Sequence, residues 1–111
     1  MSAYFIISLD VELQWGYHSY PYSKMAKILK EEEHKSITAI ENLLRLFEKY
    51  NISATWAVVG RLFLDNPEII EKVLSSSVEH EIGYHSFSHI RFSECTSEIA
   101  EAEIRKGTEL A

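Results

Sequence analysis

The stretch ATWAVVGRLFLDNPEIIEKVLSSSVEHEIG, residues Ala54–Gly83, carries a strand, a helix and a second strand in succession. Ala54–Val59 is an apolar run rich in β-branched and aromatic side chains, as a buried strand requires, and Gly60 closes it. Asn66-Pro67-Glu68 reads as a helix start, with asparagine as the cap, proline at the first helical position and an acid in the first turn. Ile69, Ile70, Val73 and Leu74 give that helix its buried stripe. Glu79–Gly83 is a short strand ended by glycine. Strands joined through a helix in this way pair in parallel by a crossover.

The same alternation extends in both directions. Upstream, Ile37, Ile40, Leu43, Leu44 and Phe47 fall at helical spacing, predicting an amphipathic helix over His34–Tyr50 that Asn51 terminates. Before it, Glu12–Glu33 is expected to be a long irregular segment carrying Trp15, Tyr17, His18, Tyr20, Pro21 and Tyr22. Its acidic end, Glu31–Glu33, reads as a solvated run favouring the N-terminus of the following helix. Ala3–Leu9 is predicted as a first strand, buried on both faces. Downstream, Thr96 or Ser97 caps a last helix running to about Leu110.

The fold class expected is therefore α/β, with parallel strands and crossover helices. Three such units in 111 residues fall short of a complete (β/α)₈ barrel, which needs about 200. The expectation is one domain over residues 1–111, a partial barrel truncated after its third unit. An open parallel sheet leaves an apolar edge, so a homo-oligomer covering that edge is also expected.

A net charge of −6 argues against a nucleic-acid partner, because phosphate binding needs a basic face. The apolar run Tyr4–Leu9 is too short to span a bilayer, has no basic residues before it and runs into Asp10. No membrane association and a cytoplasmic location are expected. Cys95 is the single cysteine, which excludes an internal disulfide and fits a reducing compartment; it reads as a passive thiol.

Chemistry in parallel α/β folds gathers where strands end at their C-terminal edge. Asp10 and Glu12 follow the first strand, in Ser8-Leu9-Asp10-Val11-Glu12, and His85 and His89 follow the third, in Glu81–His89. Parallel strands bring both groups to one end of the sheet. Two histidines four residues apart can aim both imidazoles at one cation, and a carboxylate of the Asp10/Glu12 pair completes a three-ligand site with a position open to water. A cation so held makes hydroxide available near neutral pH, and the second carboxylate can take the proton.

The segments ISLDVE (Ile7–Glu12), ISATWAVVGR (Ile52–Arg61) and NPEIIEKVLSSSVEHEIGYHSFSHIRF (Asn66–Phe92) resemble the NodB-type polysaccharide deacetylases of carbohydrate esterase family 4. The resemblance runs from about Ala3 to Leu110. Its most specific element is a histidine, a serine or threonine, two residues and a second histidine, preceded by Glu-Ile-Gly, and Glu81–His89 matches it.

The resemblance implies the N-terminal part of a deacetylase barrel and metal-dependent hydrolysis of a non-peptide C–N bond, the N-acetyl group of a sugar or polysaccharide. It implies a divalent metal, zinc, held by His85 and His89. Asp10 matches the first aspartate of the family's pair, the general base, whereas Val11 stands where the second, metal-binding aspartate belongs. Glu12, one residue on, is expected to supply that ligand, and such a D-x-E arrangement resembles some branches of the family. The family's later motifs, among them the histidine that acts as general acid, are not located in this chain. Trp15 and Tyr17 are expected to contact an N-acetylated carbohydrate. Two other readings stand beside this one: an amidohydrolase of small cyclic or linear amides, and a non-catalytic metal- or carbohydrate-binding module.

Overall fold

A computed structural model describes residues 2–16 and 22–110. Three short strands, β1 (Ser8–Val11), β2 (Thr55–Val58) and β3 (Glu81–Tyr84), form one sheet in the order β1-β2-β3, with both pairs parallel. Helix α1 (Tyr22–Tyr50) joins β1 to β2, α2 (Arg61–Asp65) and α3 (Pro67–Leu74) join β2 to β3, and α4 (Ser97–Leu110) follows β3. The protein is an α/β fold with a parallel sheet, as the alternation of elements predicts.

Register divides the sheet into two unlike faces, because alternate residues of a strand point to opposite sides. Leu9, Trp56 and Ile82 align across the strands, as do Val11, Val58 and Tyr84. This face is covered by helices: Ile40, Leu44 and Phe47 of α1, Leu62 of α2, and Ile69 and Val73 of α3 join Trp56 and Val58 in one buried cluster. Phe47 meets Trp56 edge-on at 6.0 Å between ring centroids, a geometry that adds about 1 kcal/mol beyond the area buried. His80, before β3, packs on both rings at 5.8 Å and accepts the Ala54 N–H at Nδ1 (3.1 Å), so it serves the core. The opposite face aligns Ser8, Thr55 and Glu81, then Asp10, Ala57 and Gly83. These are small or polar residues, and no helix covers them among the described residues.

Asn51 ends α1 as expected. It adopts the left-handed conformation (φ 52°), its N–H bonds Glu48 O at 3.3 Å, and the Ile52 N–H reaches back to Phe47 O at 2.8 Å. This is the paired arrangement that satisfies the last carbonyls of a helix.

Four expectations need correction. Tyr4, Phe5 and Ile6 are not a strand buried on both faces but are 91%, 87% and 82% exposed. β1 is an edge strand, and β2 offers it no partner before Thr55, whose N–H bonds Ile7 O at 2.9 Å. The segment before His34 is not wholly irregular, because α1 begins at Tyr22. Tyr22–Glu33 lacks glycine and proline and is rich in lysine and glutamate, with alanine, leucine and methionine among the rest, so propensity carries the helix even where the apolar stripe is weak. Glu31–Glu33 accordingly lie inside α1 rather than before it. Asn66 does precede α3, yet its side chain accepts no capping bond. Instead its Nδ2 donates to Glu33 Oε1 (2.6 Å) and Glu68 Oε1 (3.3 Å), tying α1 to the α2–α3 corner. No helix among the described residues is long and apolar enough to cross a membrane.

Candidate metal centre

β1 and β3 both deliver their chemical groups at the C-terminal end of the sheet. Beyond Val11 the chain turns sharply: Leu13 is left-handed (φ 47°), a single 3₁₀ turn spans Leu13–Gly16, and the Trp15 N–H bonds Glu12 O at 3.0 Å. Gly16 leaves the Glu12 carboxylate its place, because a Cβ on it would lie 2.6 Å from Glu12 Oε2 and push that side-chain end aside. Beyond Tyr84 the chain forms a tight turn with two left-handed residues, Ser86 (φ 53°) and His89 (φ 57°). Non-glycine residues in that region are unfavourable and persist where surrounding bonds enforce them. The enforcing bonds are present. His85 N–H reaches Val58 O (3.0 Å), Gly60 N–H reaches Ser86 O (2.8 Å) and Arg61 N–H reaches Phe87 O (2.8 Å). Gly60 allows this approach, since a Cβ there would fall 2.8 Å from the Tyr84 ring and 3.0 Å from the Phe87 backbone.

These two turns bring Glu12, His85 and His89 together. One ligand atom from each lies within 4.8 Å of the others. Glu12 Oε1 is 3.1 Å from His85 Nε2 and 3.0 Å from His89 Nε2. Asp10, on the uncovered face of the sheet, comes within 4.0 Å of His85 Nε2 and stays outside the three-atom cluster. A cleft of about 290 Å³ opens beside the carboxylates, lined by Asp10, Glu12, Gln14, Gly16, Glu32 and Ser36.

The donor chemistry fits a cation. His89 Nδ1 lies 2.9 Å from the Trp15 carbonyl. A carbonyl only accepts, so Nδ1 carries the proton, and in the neutral ring Nε2 presents its lone pair to Glu12. Two electron-rich atoms 3.0 Å apart are stable only with a positive charge or a proton between them. A carbonyl that takes the far N–H of the ring, and so fixes its tautomer, is also how ligating histidines are usually oriented. Two imidazole nitrogens and one carboxylate oxygen form a donor set suited to zinc with an open fourth position.

Trp15, expected to meet substrate, has its carbonyl on His89, and its ring lies under the Arg61 guanidinium at 5.3 Å. Tyr17 and His18 lie outside the described residues. Sequence reasoning missed Glu103 of α4, which is only 7% exposed. Its carboxylate accepts from Phe87 N–H (2.8 Å), Ser88 N–H (2.9 Å) and Ser88 Oγ (2.6 Å). The signal that could have found it is spacing. Ala100, Glu103, Gly107 and Leu110 form one stripe, in which a glutamate sits between the small residues Ala100 and Gly107.

Known proteins share both the sequence pattern and the fold. The sequence profile of the family described as polysaccharide deacetylase matches residues 36–110, about two thirds of the chain. That span includes His85, His89 and Glu103 but neither Asp10 nor Glu12. A crystal structure of a Mycobacterium smegmatis protein assigned as a polysaccharide deacetylase superposes with a TM-score of 0.81 at 17% identity. The superposition covers 95% of this chain and 37% of that one, so this chain spans little over a third of its length. At this identity the likeness establishes the fold, and it makes the three-stranded sheet a section of a barrel. No curated protein matches the sequence.

Proposed function

This chain belongs to the polysaccharide deacetylase family, and from that premise we propose that Glu12, His85 and His89 bind a divalent cation, zinc by donor chemistry, for hydrolysis of the acetamide of an N-acetylated carbohydrate. The observation that carries this reading is the approach of His89 Nε2 and His85 Nε2 to one carboxylate oxygen, with His89 held by the Trp15 carbonyl. Bound there, the cation would supply Lewis acidity, easing loss of a proton from water and polarising the amide carbonyl.

The protein's own groups divide the remaining work. Glu12 is the anionic ligand, which offsets the departure from the family's paired aspartates at Val11. Asp10, with its side chain 59% exposed and 4.0 Å from His85, is the general base that accepts the proton of the attacking water. The cleft beside Asp10 and Glu12 is where the acetamide would approach. Trp15 and Tyr17 are proposed to contact the sugar, Trp15 while also orienting His89. A cytoplasmic setting fits the lone thiol of Cys95. Self-association through the β3 edge fits the apolar groove there, lined by Phe63, Ile70, Leu74, Ile82, Tyr84 and Leu110.

Metal analysis after exhaustive dialysis tests the reading. The wild-type protein should retain close to one equivalent of zinc, and His85→Ala and His89→Ala should retain none. Equal zinc in all three would refute it. Zinc-dependent acetate release from an N-acetylated amino-sugar oligomer, exceeding release from small amides, separates the carbohydrate deacetylase from the amidohydrolase. Zinc binding with no acetate release from either leaves the binding module.

A further inference from the structure

Helix α4 docks on β3 through Tyr84, whose hydroxyl donates to the Glu103 carbonyl, while Gly107 sits so close to the ring that an added Cβ would overlap it. That docking carries the Glu103 side chain behind the His85–His89 turn, where it is buried. A buried carboxylate is tolerated only when donors meet its lone pairs. Here the donors come from the centre of the turn: Phe87 N–H and Ser88 N–H on Oε2, and Ser88 Oγ–H on Oε1.

The opposite side of the same turn is held through the Ser86 and Phe87 carbonyls, by Gly60 just beyond β2 and by Arg61 at the start of α2. Four consecutive backbone groups, Ser86 C=O, Phe87 N–H, Phe87 C=O and Ser88 N–H, are therefore each bonded, alternately to Gly60 or Arg61 and to Glu103. With the two peptide planes around Phe87 pinned from both sides, the course of the turn between its left-handed residues Ser86 and His89 is fixed. That course aims both imidazoles at Glu12.

We propose that Glu103 is a positioning residue, a buried anion on the outer helix that fixes the His85–His89 turn so that both Nε2 atoms face Glu12 before any cation arrives. The proposal rests on the metal-site reading above, and it extends the site to an element that touches neither cation nor substrate. Residues that orient ligands from behind typically alter metal affinity by about 10–100-fold when removed. Glutamine at this position is a near-isostere: its carbonyl oxygen can accept both amides, and its NH₂ can donate to Ser88 Oγ. Alanine provides nothing.

The test uses wild type, Glu103→Gln and Glu103→Ala, with two readouts. The first is amide hydrogen exchange at Phe87 and Ser88 in metal-free protein. The second is zinc affinity by chelator competition, with thermal unfolding as a control. In wild type without metal, both amides should exchange far more slowly than open-loop amides. Glu103→Ala should lose that protection at Phe87 and Ser88 but keep it at Trp56 and Val58, with zinc affinity falling about 10–100-fold. Glu103→Gln should stay within about threefold of wild type, a rescue that separates geometry from bulk packing. A folded Glu103→Ala protein with lowered thermal stability but unchanged zinc affinity would overturn the proposal. So would open-loop exchange at Phe87 and Ser88 in wild type, a result that stands even if the alanine variant does not fold. Absence of zinc binding in wild type would refute the metal reading, while the exchange data would still report whether Glu103 fixes the turn.

Discussion

The two turns that meet at the candidate metal centre are held in different ways. The His85–His89 turn is bonded to β2, to α2 and to the buried carboxylate of α4, so the rest of the fold determines its shape. Among the described residues the Glu12–Gly16 turn has fewer hydrogen bonds, its own 3₁₀ bond from Trp15 N–H to Glu12 O and the link between the Trp15 carbonyl and His89. It otherwise rests on the packing of Leu13 and Trp15 against the core and of Trp15 under Arg61. The histidine side is a product of folding. The carboxylate side is completed by its contact with the histidines and, in the proposed centre, by the cation they share. Stability and metal affinity should therefore respond together on one side of the site and separately on the other.

Gly107→Ala should have the largest effect. Its Cβ would collide with the Tyr84 ring and push α4 away from β3. Overpacking of this kind costs about 1–3 kcal/mol, which lowers the melting temperature by several degrees. Because α4 carries Glu103, zinc affinity should fall as well, although Gly107 is not part of the site. Calorimetry with zinc titration checks both, and a stability loss without an affinity loss would break the coupling between α4 and the histidine turn. Gly16→Ala should do the reverse. Its Cβ would displace only the end of the flexible Glu12 side chain, so stability should change by less than about 0.5 kcal/mol, while zinc affinity drops by about tenfold. A Gly16→Ala protein that binds zinc as wild type does would remove Glu12 from the ligand set.

The smallest effect expected is on alkaline stability. Burial, and then the charge of Glu103, hold the Tyr84 hydroxyl above the usual tyrosine pKa. A folded-state value above the unfolded one means that the stabilisation is complete below the usual tyrosine range and is lost as pH rises through the folded value. Urea midpoints should accordingly fall more steeply in wild type than in Tyr84→Phe once pH exceeds that range. Parallel slopes would show that the Tyr84 hydroxyl contributes nothing to the docking of α4.

The parts of this structure that were legible in the sequence are those where one residue type has one physical consequence. The apolar run Ala54–Val59 and the short glycine-ended segment Glu79–Gly83, with helical spacing between them, pointed to the parallel sheet, and asparagine at position 51 marked the end of α1. His85 and His89 stood out because imidazoles four apart at a strand end are uncommon. Glu103 did not stand out, because glutamates are plentiful in α4 and the helix's conspicuous apolar residues, Ile99 and Ile104, are 49% and 58% exposed. The buried residues of α4 are Glu103 and Gly107, which fit the histidine turn and the Tyr84 ring and are not hydrophobic. Likewise the apolar Tyr4–Ile6 run promised burial that a strand at the sheet's edge did not provide. Partner geometry decided those positions, and local pattern does not encode it.

The direct measurement is zinc-edge X-ray absorption on the zinc-loaded protein, compared with His89→Ala. Wild type should give nitrogen and oxygen neighbours at about 2.0–2.2 Å with the outer-shell signature of two imidazoles, and His89→Ala should retain one imidazole at most. A shell without imidazole scattering, or sulfur at about 2.3 Å from Cys95, would contradict a centre made of Glu12, His85 and His89.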